Sequence, residues 1–325
     1  MKQFSSSDLK TILHSKRANM FYLEYCRVMQ KDGRVLYLTE ADKENLYYNI
    51  PIANTTVLLL GNGTSITQAA MRMLSQAGVL VGFCGGGGTP LYMANEVEWF
   101  TPQSEYRPTE YLQGWLSFWF DDEKRLLFAK MFQNARIDYL QRVWCKDREL
   151  ALEKFNVQDA VIQQSLDIFH QRTDAASKPS DLLLTEAQLT KSLYKYAANN
   201  TGKENFSRQH KSTDKANDFL NHGNYLAYGL AASCLWVLGI PHGFAIMHGK
   251  TRRGALVFDV ADLIKDAIVL PWAFVCAKEN ATEQEFRQQI LQSFIEHKAM
   301  DFMFDTVKQV ALQNYSLAEI EEKQL

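Results

Sequence analysis

The segment IMHGKTRRGALVFDVADLIKD, residues 246–266, decides how this chain is interpreted. From Leu256 onward its pattern predicts a helix, in which Asp259, Asp262 and Asp266 share one narrow face. The other faces of this helix are apolar. Because a helix that is apolar on most sides is largely buried, we expect its acidic stripe to face a cleft or another helix rather than open water.

The residues before that helix add an imidazole and three cations. His248 is followed by Lys250, Arg252 and Arg253. Carboxylates and an imidazole are ligands for a divalent cation, and cationic side chains close by would suit a phosphate. The segment therefore favours metal-assisted phosphodiester chemistry. The alternative is an ordinary amphipathic helix with a solvated acidic stripe and an unrelated loop histidine, so the rest of the chain has to discriminate.

The composition is that of a globular protein with a large core. Of the 325 residues 46% are apolar, and no run reaches the ~18 uninterrupted apolar residues of a membrane span. The N-terminal residues lack the apolar segment of a secretory signal, and the five cysteines are scattered without a CxxC pair. We therefore expect a protein of the reducing cytoplasm, with no membrane segment and no zinc site.

The net charge bears on possible nucleic-acid binding. A charge of −2 is not the basic signature of a nucleic-acid-binding protein. If the chain binds DNA, its positive charge must be gathered into a local patch, or be supplied by metal ions or partners. The composition by itself neither requires nor excludes DNA.

The sequence divides into two regions of different pattern. Residues 1–100 contain short strand-like runs with turn signals, for example at residues 31–34, and one helical segment over residues 65–76. They predict a mostly antiparallel β domain with one inserted helix. Residues 101–108 carry two prolines and little periodicity, as in a linker. Residues 109–325 have a helical pattern almost throughout, so the expected fold class is α+β with an all-α second domain.

Two glycine-rich features in the first region suggest nucleotide binding but lack its full pattern. The turn from Gly61 to Thr64 follows an apolar run, yet the third glycine of a dinucleotide-binding turn is missing. Residues 85–88 are four glycines without the GK[ST] of a phosphate-binding loop. A nucleotide-binding α/β enzyme is therefore a weak alternative, and we interpret the two features as a tight turn and a flexible loop.

A second carboxylate candidate comes from a different predicted helix. Glu186 lies within the apolar stripe that contains Leu182 and Leu189. A carboxylate on a core-facing stripe is costly unless it is paired, protonated or bound to a cation. A cation would make Glu186 a third metal ligand. The structural alternatives are a buried salt bridge, for instance to Arg252 or Arg253, and an exposed stripe edge.

Together these segments resemble one known family, the CRISPR-associated integrase, which is the endonuclease/integrase subunit of the spacer-acquisition machinery. The N-terminal segments IPIANTTVLLLGNGTSITQAAM and GVLVGFCGGGGTPLY are similar to the I-F subtype of that family. The matching C-terminal motifs are TEAQLTK around Glu186, the segment 221–229, Gly239-Ile240-Pro241, His248, and Asp259-Val260-Ala261-Asp262.

The resemblance implies an architecture and an assembly. It implies an N-terminal β-sandwich domain over residues 1–100 that mediates a homodimer, and a C-terminal all-helical catalytic domain over residues 109–325. It also implies assembly with a small acquisition subunit, which in this subtype is fused to a helicase–nuclease. The substrate would be double-stranded DNA, both as spacer precursor and as CRISPR repeat.

The resemblance also implies a metal site and a reaction. Mg²⁺ or Mn²⁺ would bind Glu186, His248 and Asp262, with Asp259 as an accompanying residue that ligates directly or through water. A DNA 3′-OH would attack a phosphodiester of the repeat, and the same chemistry with water would make the protein a nuclease. Because His248 must be neutral to ligate, activity is expected to fall below about pH 6.

The basic residues and one further function class complete the expectations. Lys250, Arg252 and Arg253 would hold the DNA backbone irrespective of base sequence. The alternative function is a non-catalytic DNA-binding scaffold of a repair or recombination complex. Alanine variants of the three metal ligands separate the two, because only an enzyme would lose strand transfer while it kept its fold and its DNA binding.

Overall fold

The computed structural model describes residues 19–41, 44–84, 109–204, 206–209, 214–249 and 254–322. The chain divides into two compact units, Met1–Arg107 and Pro108–Leu325. As far as the described ranges extend, the first unit contains strands and one α-helix, and the second unit is helical. The expectation of an α+β chain that is mostly helical, with its strands at the N-terminal end, is confirmed.

The described residues of the first unit form seven strands in two sheets. The strands are β1 (Asn19–Leu23), β2 (Arg27–Lys31), β3 (Arg34–Ala41), β4 (Glu44–Ile50), β5 (Thr55–Leu60), β6 (Ser65–Ile66) and β7 (Leu80–Phe83). One sheet has the order β1-β5-β7 and the other has the order β4-β3-β2-β6. The α-helix α1 (Gln68–Gln76) lies between β6 and β7 in the chain.

The strand directions correct one expectation. Both pairings in the sheet β1-β5-β7 are parallel, so the prediction of a mostly antiparallel domain was wrong for this sheet. All six residues of the central strand β5 are buried, and a continuous apolar run is typical of a strand covered on both faces. In the other sheet, β2, β3 and β4 are antiparallel, and the predicted hairpin turn is present between Lys31 and Arg34.

One hydrophobic core joins the two sheets and the helix of this unit. It contains Val28 and Val35 from one sheet, Leu58 and Leu60 from the other, and Leu74 from α1. Burial of alternate side chains from both sheets against the same helix accounts for the apolar pattern of these strands.

The first glycine-rich feature is a tight turn, as interpreted from the sequence. The Gly61 amide donates to the carbonyl of Leu23 at 2.8 Å, and Gly63 has a φ of +66°. A Cβ on Gly61 would lie 2.6 Å from the Tyr22 hydroxyl oxygen, and one on Gly63 would lie 2.6 Å from the Tyr25 ring. The glycines are therefore required by close packing within this unit. The tetraglycine lies outside the described residues.

The second unit contains helices and no strand among its described residues. The helices are α2 (Glu110–Trp119), α3 (Asp122–Lys146), α4 (Arg148–Leu152), α5 (Ala160–Ala175), α6 (Pro179–Asn200), α7 (Lys215–Leu238), α8 (Ala255–Ile264), α9 (Leu270–Lys278), α10 (Glu283–Glu296) and α11 (Ala299–Glu322). Two helix pairs matter for the site, because α8 packs against both α3 and α7.

The chain stays helical from α8 into α9 through a π-helical segment, Lys265–Val269. Pro271 stands in the first turn of α9 and cannot donate to the carbonyl of Ala267 four residues earlier. That carbonyl instead accepts a hydrogen bond of 3.0 Å from the indole Nε1 of Trp144 on α3. The buried helix thus tolerates its proline because a neighbouring helix satisfies the released carbonyl.

None of the described helices combines the length and the apolar character that crossing a membrane requires. The five cysteines are all free thiols.

Candidate metal centre

The predicted ligands come from three segments that are distant in the sequence. Glu186 lies on α6, His248 lies in the loop that precedes α8, and Asp262 lies on α8. One ligand atom of each lies within 4.8 Å of the others. The His248 Nε2 atom is 3.8 Å from Asp262 Oδ2. The structure therefore brings together the three side chains that the sequence singled out.

The acidic face of α8 and of the π-helical segment that follows it points inward, as its periodicity predicted. Asp259, Asp262 and Asp266 are only 3%, 3% and 4% exposed. The three residues nevertheless have different partners. Asp262 contacts His248, Asp259 holds the loop before the helix, and Asp266 forms an ion pair with a buried arginine.

Asp259 fixes the position of His248. Its Oδ2 atom accepts hydrogen bonds from the backbone amides of Ile246 and Met247 at 2.8 and 3.2 Å, and its Oδ1 atom accepts one from the amide of His248 at 3.1 Å. The same Oδ1 lies 2.7 Å from His248 Nδ1. With Nδ1 donating to a carboxylate, the ring nitrogen left to act as a ligand is Nε2, the one that lies beside Asp262.

The other side of the loop is held by two tryptophans of α2. The indole Nε1 atoms of Trp115 and Trp119 donate to the carbonyls of Phe244 and Ala245 at 3.0 and 2.7 Å. Trp115 is fully buried. The hydrogen bonds to the loop were not foreseen, because the sequence does not show which carbonyls an indole will reach.

The partner of Glu186 is a buried arginine that sequence reasoning missed. Arg136 on α3 places Nη1 3.3 Å from Glu186 Oε1. Its Nε donates to Asp266 Oδ2 at 2.8 Å, and its Nη2 contacts the same oxygen. The expected ion-pair partners of Glu186, Arg252 and Arg253, lie outside the described residues. The sequence signal available for Arg136 was its position on a helix whose Phe, Tyr and Trp side chains are buried.

A second cation lies beside the other carboxylate ligand. The Lys265 ammonium contacts Asp262 Oδ1, one helical turn away, and lies 5.3 Å from the centre of the Tyr228 ring. Burial by itself would raise the pKa of Asp262, but Lys265, Arg136 and His248 together lower it below its usual range. Asp262 is therefore ionised at neutral pH and available as an anionic ligand.

The two remaining candidate ligands also have shifted pKa values. Burial and the charge of Asp262 raise the pKa of Glu186, against the opposing effect of Arg136. For His248, burial acts to lower the pKa, but the hydrogen bond to Asp259 and the charge of Asp262 outweigh it and raise the pKa above that of a free imidazole. The negative charges of Glu186 and Asp262 thus disfavour each other, and a bound cation would stabilise both carboxylates in their ionised form.

The donor set fits a hard divalent cation. Within the described part of the chain, four buried or half-buried carboxylates, from Glu186, Asp259, Asp262 and Asp266, face two cations, Arg136 and Lys265. Two carboxylates and one imidazole, with no thiol in the group, suit Mg²⁺ or Mn²⁺ better than a soft metal. The three basic residues expected to hold phosphate, Lys250, Arg252 and Arg253, lie outside the described residues.

The sequence was compared with protein families and with curated relatives. The family model "CRISPR associated protein Cas1" matches residues 21–307. A protein named "CRISPR-associated endonuclease Cas1" from Pectobacterium atrosepticum is 56% identical over 314 residues, which cover 95% of this chain and 96% of the relative.

Solved structures share the fold at much lower identity. A crystal structure described as a TtCas1–DNA complex has a TM-score of 0.62 at 20% identity and covers 90% of this chain and 91% of the other. A structure described as a partial Cas6-RT-Cas1–Cas2 complex has a TM-score of 0.57 at 13% identity, with 92% and 96% covered. At such identities the likeness concerns the fold.

Proposed function

This chain belongs to the Cas1 family of CRISPR associated proteins, and we propose that it is a divalent-metal-dependent DNA endonuclease and integrase that inserts spacer DNA into the CRISPR repeat array. One observation carries the metal dependence. Ligand atoms of Glu186, His248 and Asp262, from three separate segments, lie within 4.8 Å of one another.

Three residues would hold Mg²⁺ or Mn²⁺ in this proposal: Glu186 and Asp262 through carboxylate oxygens, and His248 through Nε2. When bound, the ion polarises the scissile phosphoryl oxygen and lowers the pKa of the attacking hydroxyl. Asp259 would keep the proton of His248 on Nδ1, so that the lone pair of Nε2 would be available to bind the ion. Asp259 thus acts through His248 and the loop, since both of its oxygens already accept hydrogen bonds from residues 246–248.

The reaction is a transesterification at phosphorus. A 3′-OH of the spacer attacks a phosphodiester of the repeat and loses its proton to solvent, the P–O bond to the leaving 3′ oxygen breaks, and that oxygen takes a proton from solvent to become a 3′-OH. With water in place of the 3′-OH the same step is hydrolysis, which accounts for endonuclease activity. Lys250, Arg252 and Arg253 would hold the DNA backbone in either reaction, because phosphate contacts position a duplex without reading its sequence.

The assembly follows the family. We propose a domain at residues 1–100 that is a β-sandwich with the helix α1 inserted, a linker at 101–108, and a catalytic domain at 109–325. The two sheets that share one core support the sandwich. The first domain would form a homodimer, and the dimer would bind double-stranded DNA together with a small acquisition subunit fused to a helicase–nuclease, in the cytoplasm. One structural relative is a complex with Cas2, and another is bound to DNA.

Alanine variants of the three ligands test the proposal. Each of Glu186→Ala, His248→Ala and Asp262→Ala should lower strand transfer of a 3′-OH spacer duplex into a repeat duplex by more than ~100-fold, since even outer partners of a metal ligand contribute 10–100-fold. Each should also abolish Mn²⁺ binding measured by titration calorimetry. Asp167→Ala, which removes an exposed carboxylate on α5, is the matched control and should behave like the parent.

Two results would contradict the proposal. Strand transfer at the parental rate by the ligand variants would show that these residues do not form the active site. A parent protein that binds DNA but neither binds Mn²⁺ nor transfers strands would instead be the non-catalytic scaffold.

A further inference from the structure

We propose that Gln133 is a positioning residue that ties the Glu186 carboxylate to the loop carrying His248, and that a single buried water completes its hydrogen bonds. The inference rests on the proposed metal site and adds a residue to it. Gln133 lies on α3, which contributes none of the three ligands, and is 2% exposed.

The amide nitrogen of Gln133 bridges two of the segments that form the site. Nε2 lies 3.4 Å from Glu186 Oε2 and 2.9 Å from the sulfur of Met247, the neighbour of His248. One side chain therefore contacts a ligand on α6 and the residue adjacent to a ligand in the loop. Its donor group has two hydrogens, one for each contact.

Gln133 acts together with the arginine one turn further along α3. Arg136 Nη1 lies 3.3 Å from Glu186 Oε1, while Gln133 Nε2 faces Oε2. The two side chains bracket both oxygens of the carboxylate, because positions three residues apart share a helix face. Loss of Gln133 would leave Glu186 held at one oxygen only and free to rotate away from the other two ligands.

The amide oxygen of Gln133 is the reason to propose a buried water. This Oε1 is buried and has no hydrogen-bond partner among the described residues, and the same holds for Arg136 Nη1 apart from its ion pair. A buried amide oxygen without a partner costs free energy, so a partner is expected.

A small cavity offers room for that partner. It has a volume of about 10 Å³, and Gln133, Arg136, Met247, Asp259 and Asp262 are among its lining residues. This is the space one water needs, and a buried water requires two to four polar partners. Arg136 can donate to such a water, and the water can donate to Gln133 Oε1. The water would then satisfy both buried atoms that lack a hydrogen-bond partner, Gln133 Oε1 and Arg136 Nη1.

Two substitutions separate a positioning role from a merely structural one. Gln133→Met keeps the length of the side chain and removes the donor and the unpartnered oxygen. Gln133→Asn keeps a buried amide but shortens its reach by one methylene. Gln141→Met, at a half-buried glutamine further along α3, is the matched control.

The readouts are the Mn²⁺ dissociation constant of the full chain and the melting temperature in the absence of metal. Both Gln133 variants should bind Mn²⁺ about 10-fold more weakly or worse, as expected when an outer partner of a metal ligand is lost. The metal-free melting temperature of Gln133→Met should stay close to the parental value, since methionine has a similar length and volume and fills the same buried space.

Three results are decisive. Parental Mn²⁺ affinity in either folded Gln133 variant would overturn the inference while leaving the proposed function intact. A parent protein that binds no Mn²⁺ would overturn both. A high-resolution crystal structure without a water between Gln133 Oε1 and Arg136 would overturn the water.

Discussion

At the scale of single residues, the proposed site depends on side chains that hold the ligand residues in position. Asp259 was expected beside the metal, either as a ligand or through water. In the structure its two oxygens accept three backbone amides and face His248 Nδ1. The helix that carries Asp262 thus also fixes the loop that carries His248. Helix α8 therefore positions two ligands, because it carries Asp262 itself and holds His248 through the carboxylate of Asp259.

Asp259→Asn should destabilise the protein and weaken Mn²⁺ binding together. Asparagine keeps the shape but can accept at one oxygen only, so buried amide donors of the loop lose their partner. We expect a loss of ~3 kcal/mol in the free energy of unfolding, measured by urea denaturation. Asp167→Asn on the surface of α5 serves as the control. Unchanged stability together with parental Mn²⁺ affinity would show that the loop does not need this carboxylate.

The pH dependence of metal binding should follow His248. Burial acts to lower the pKa of His248, but the hydrogen bond to Asp259 and the charge of Asp262 outweigh burial and raise it. A proton and the ion compete for this side chain, so Mn²⁺ affinity should fall as the pH drops through a value above the ordinary imidazole pKa of ~6.5. The decline therefore begins at higher pH than the pH 6 expected from the sequence.

The sign of the effect on stability is the opposite. A histidine whose pKa is raised in the folded state stabilises the metal-free protein below its unfolded pKa, and this contribution disappears as the pH rises through the folded pKa. Titration calorimetry with Mn²⁺ between pH 5.5 and 8.5 measures the first effect. Melting temperatures in chelator over the same range measure the second. Affinity independent of pH in this range would contradict the role of His248.

At the scale of elements, the long helix formed by α8, the π-helical segment and α9 is the centre of the second unit. Its π turn contains Lys265 and Asp266, which contact Asp262 and Arg136. Such single π turns are frequent at functional sites because they change the direction of the following side chains. The neighbouring helix α7 approaches this segment closely at Gly223.

Gly223→Ala should destabilise the protein although alanine favours helices. A Cβ at this position would lie 2.5 Å from Val269 Cγ1 at the end of the π turn and 3.2 Å from Phe286 Cζ. We expect overpacking to cost ~1–3 kcal/mol, more than the gain of up to ~1 kcal/mol in helix propensity. Gly243→Ala is the control, since nothing lies within 4 Å of its Cβ. A Gly223→Ala variant as stable as the parent in urea would contradict this packing.

At the scale of the whole molecule, the proposed metal site and the proposed dimer surface lie in different units. All three proposed metal ligands lie in the helical unit. The hairpin of β3 and β4 in the first unit exposes Leu46, Tyr47 and Tyr48, which are 38%, 47% and 45% exposed. Strand β4 is also an edge of its sheet, and exposed apolar edges promote association. These features support the proposed homodimer.

The dimer can be tested at this hairpin. The parent chain, with a monomer mass of 37.3 kDa, should have twice that mass by light scattering. The double variant Leu46→Glu, Tyr47→Glu should be monomeric, because charges placed on an edge strand oppose strand pairing. Leu184→Glu, at a leucine that is 61% exposed on α6, should remain dimeric. Parental mass in the double variant would place the interface elsewhere.

The sequence by itself determined the features that periodicity and residue type encode. The acidic face of α8, the inward position of Glu186, the hairpin turn at residues 31–34 and the change from strands to helices all follow from local spacing. These predictions succeeded because a side chain's face along a helix or strand depends only on neighbouring residues.

Only the tertiary structure decided which groups meet. It paired Glu186 with Arg136 and Gln133, brought Trp119 to the carbonyl of Ala245, and made β1-β5-β7 a parallel sheet. None of these partners is close in sequence, and each could pair with several others of the same chemistry. The ligands could be proposed from the sequence because their motifs resemble those of a known family. The side chains that hold the ligands could not be predicted, because the spacing of residues in one segment carries no information about the distance to another segment.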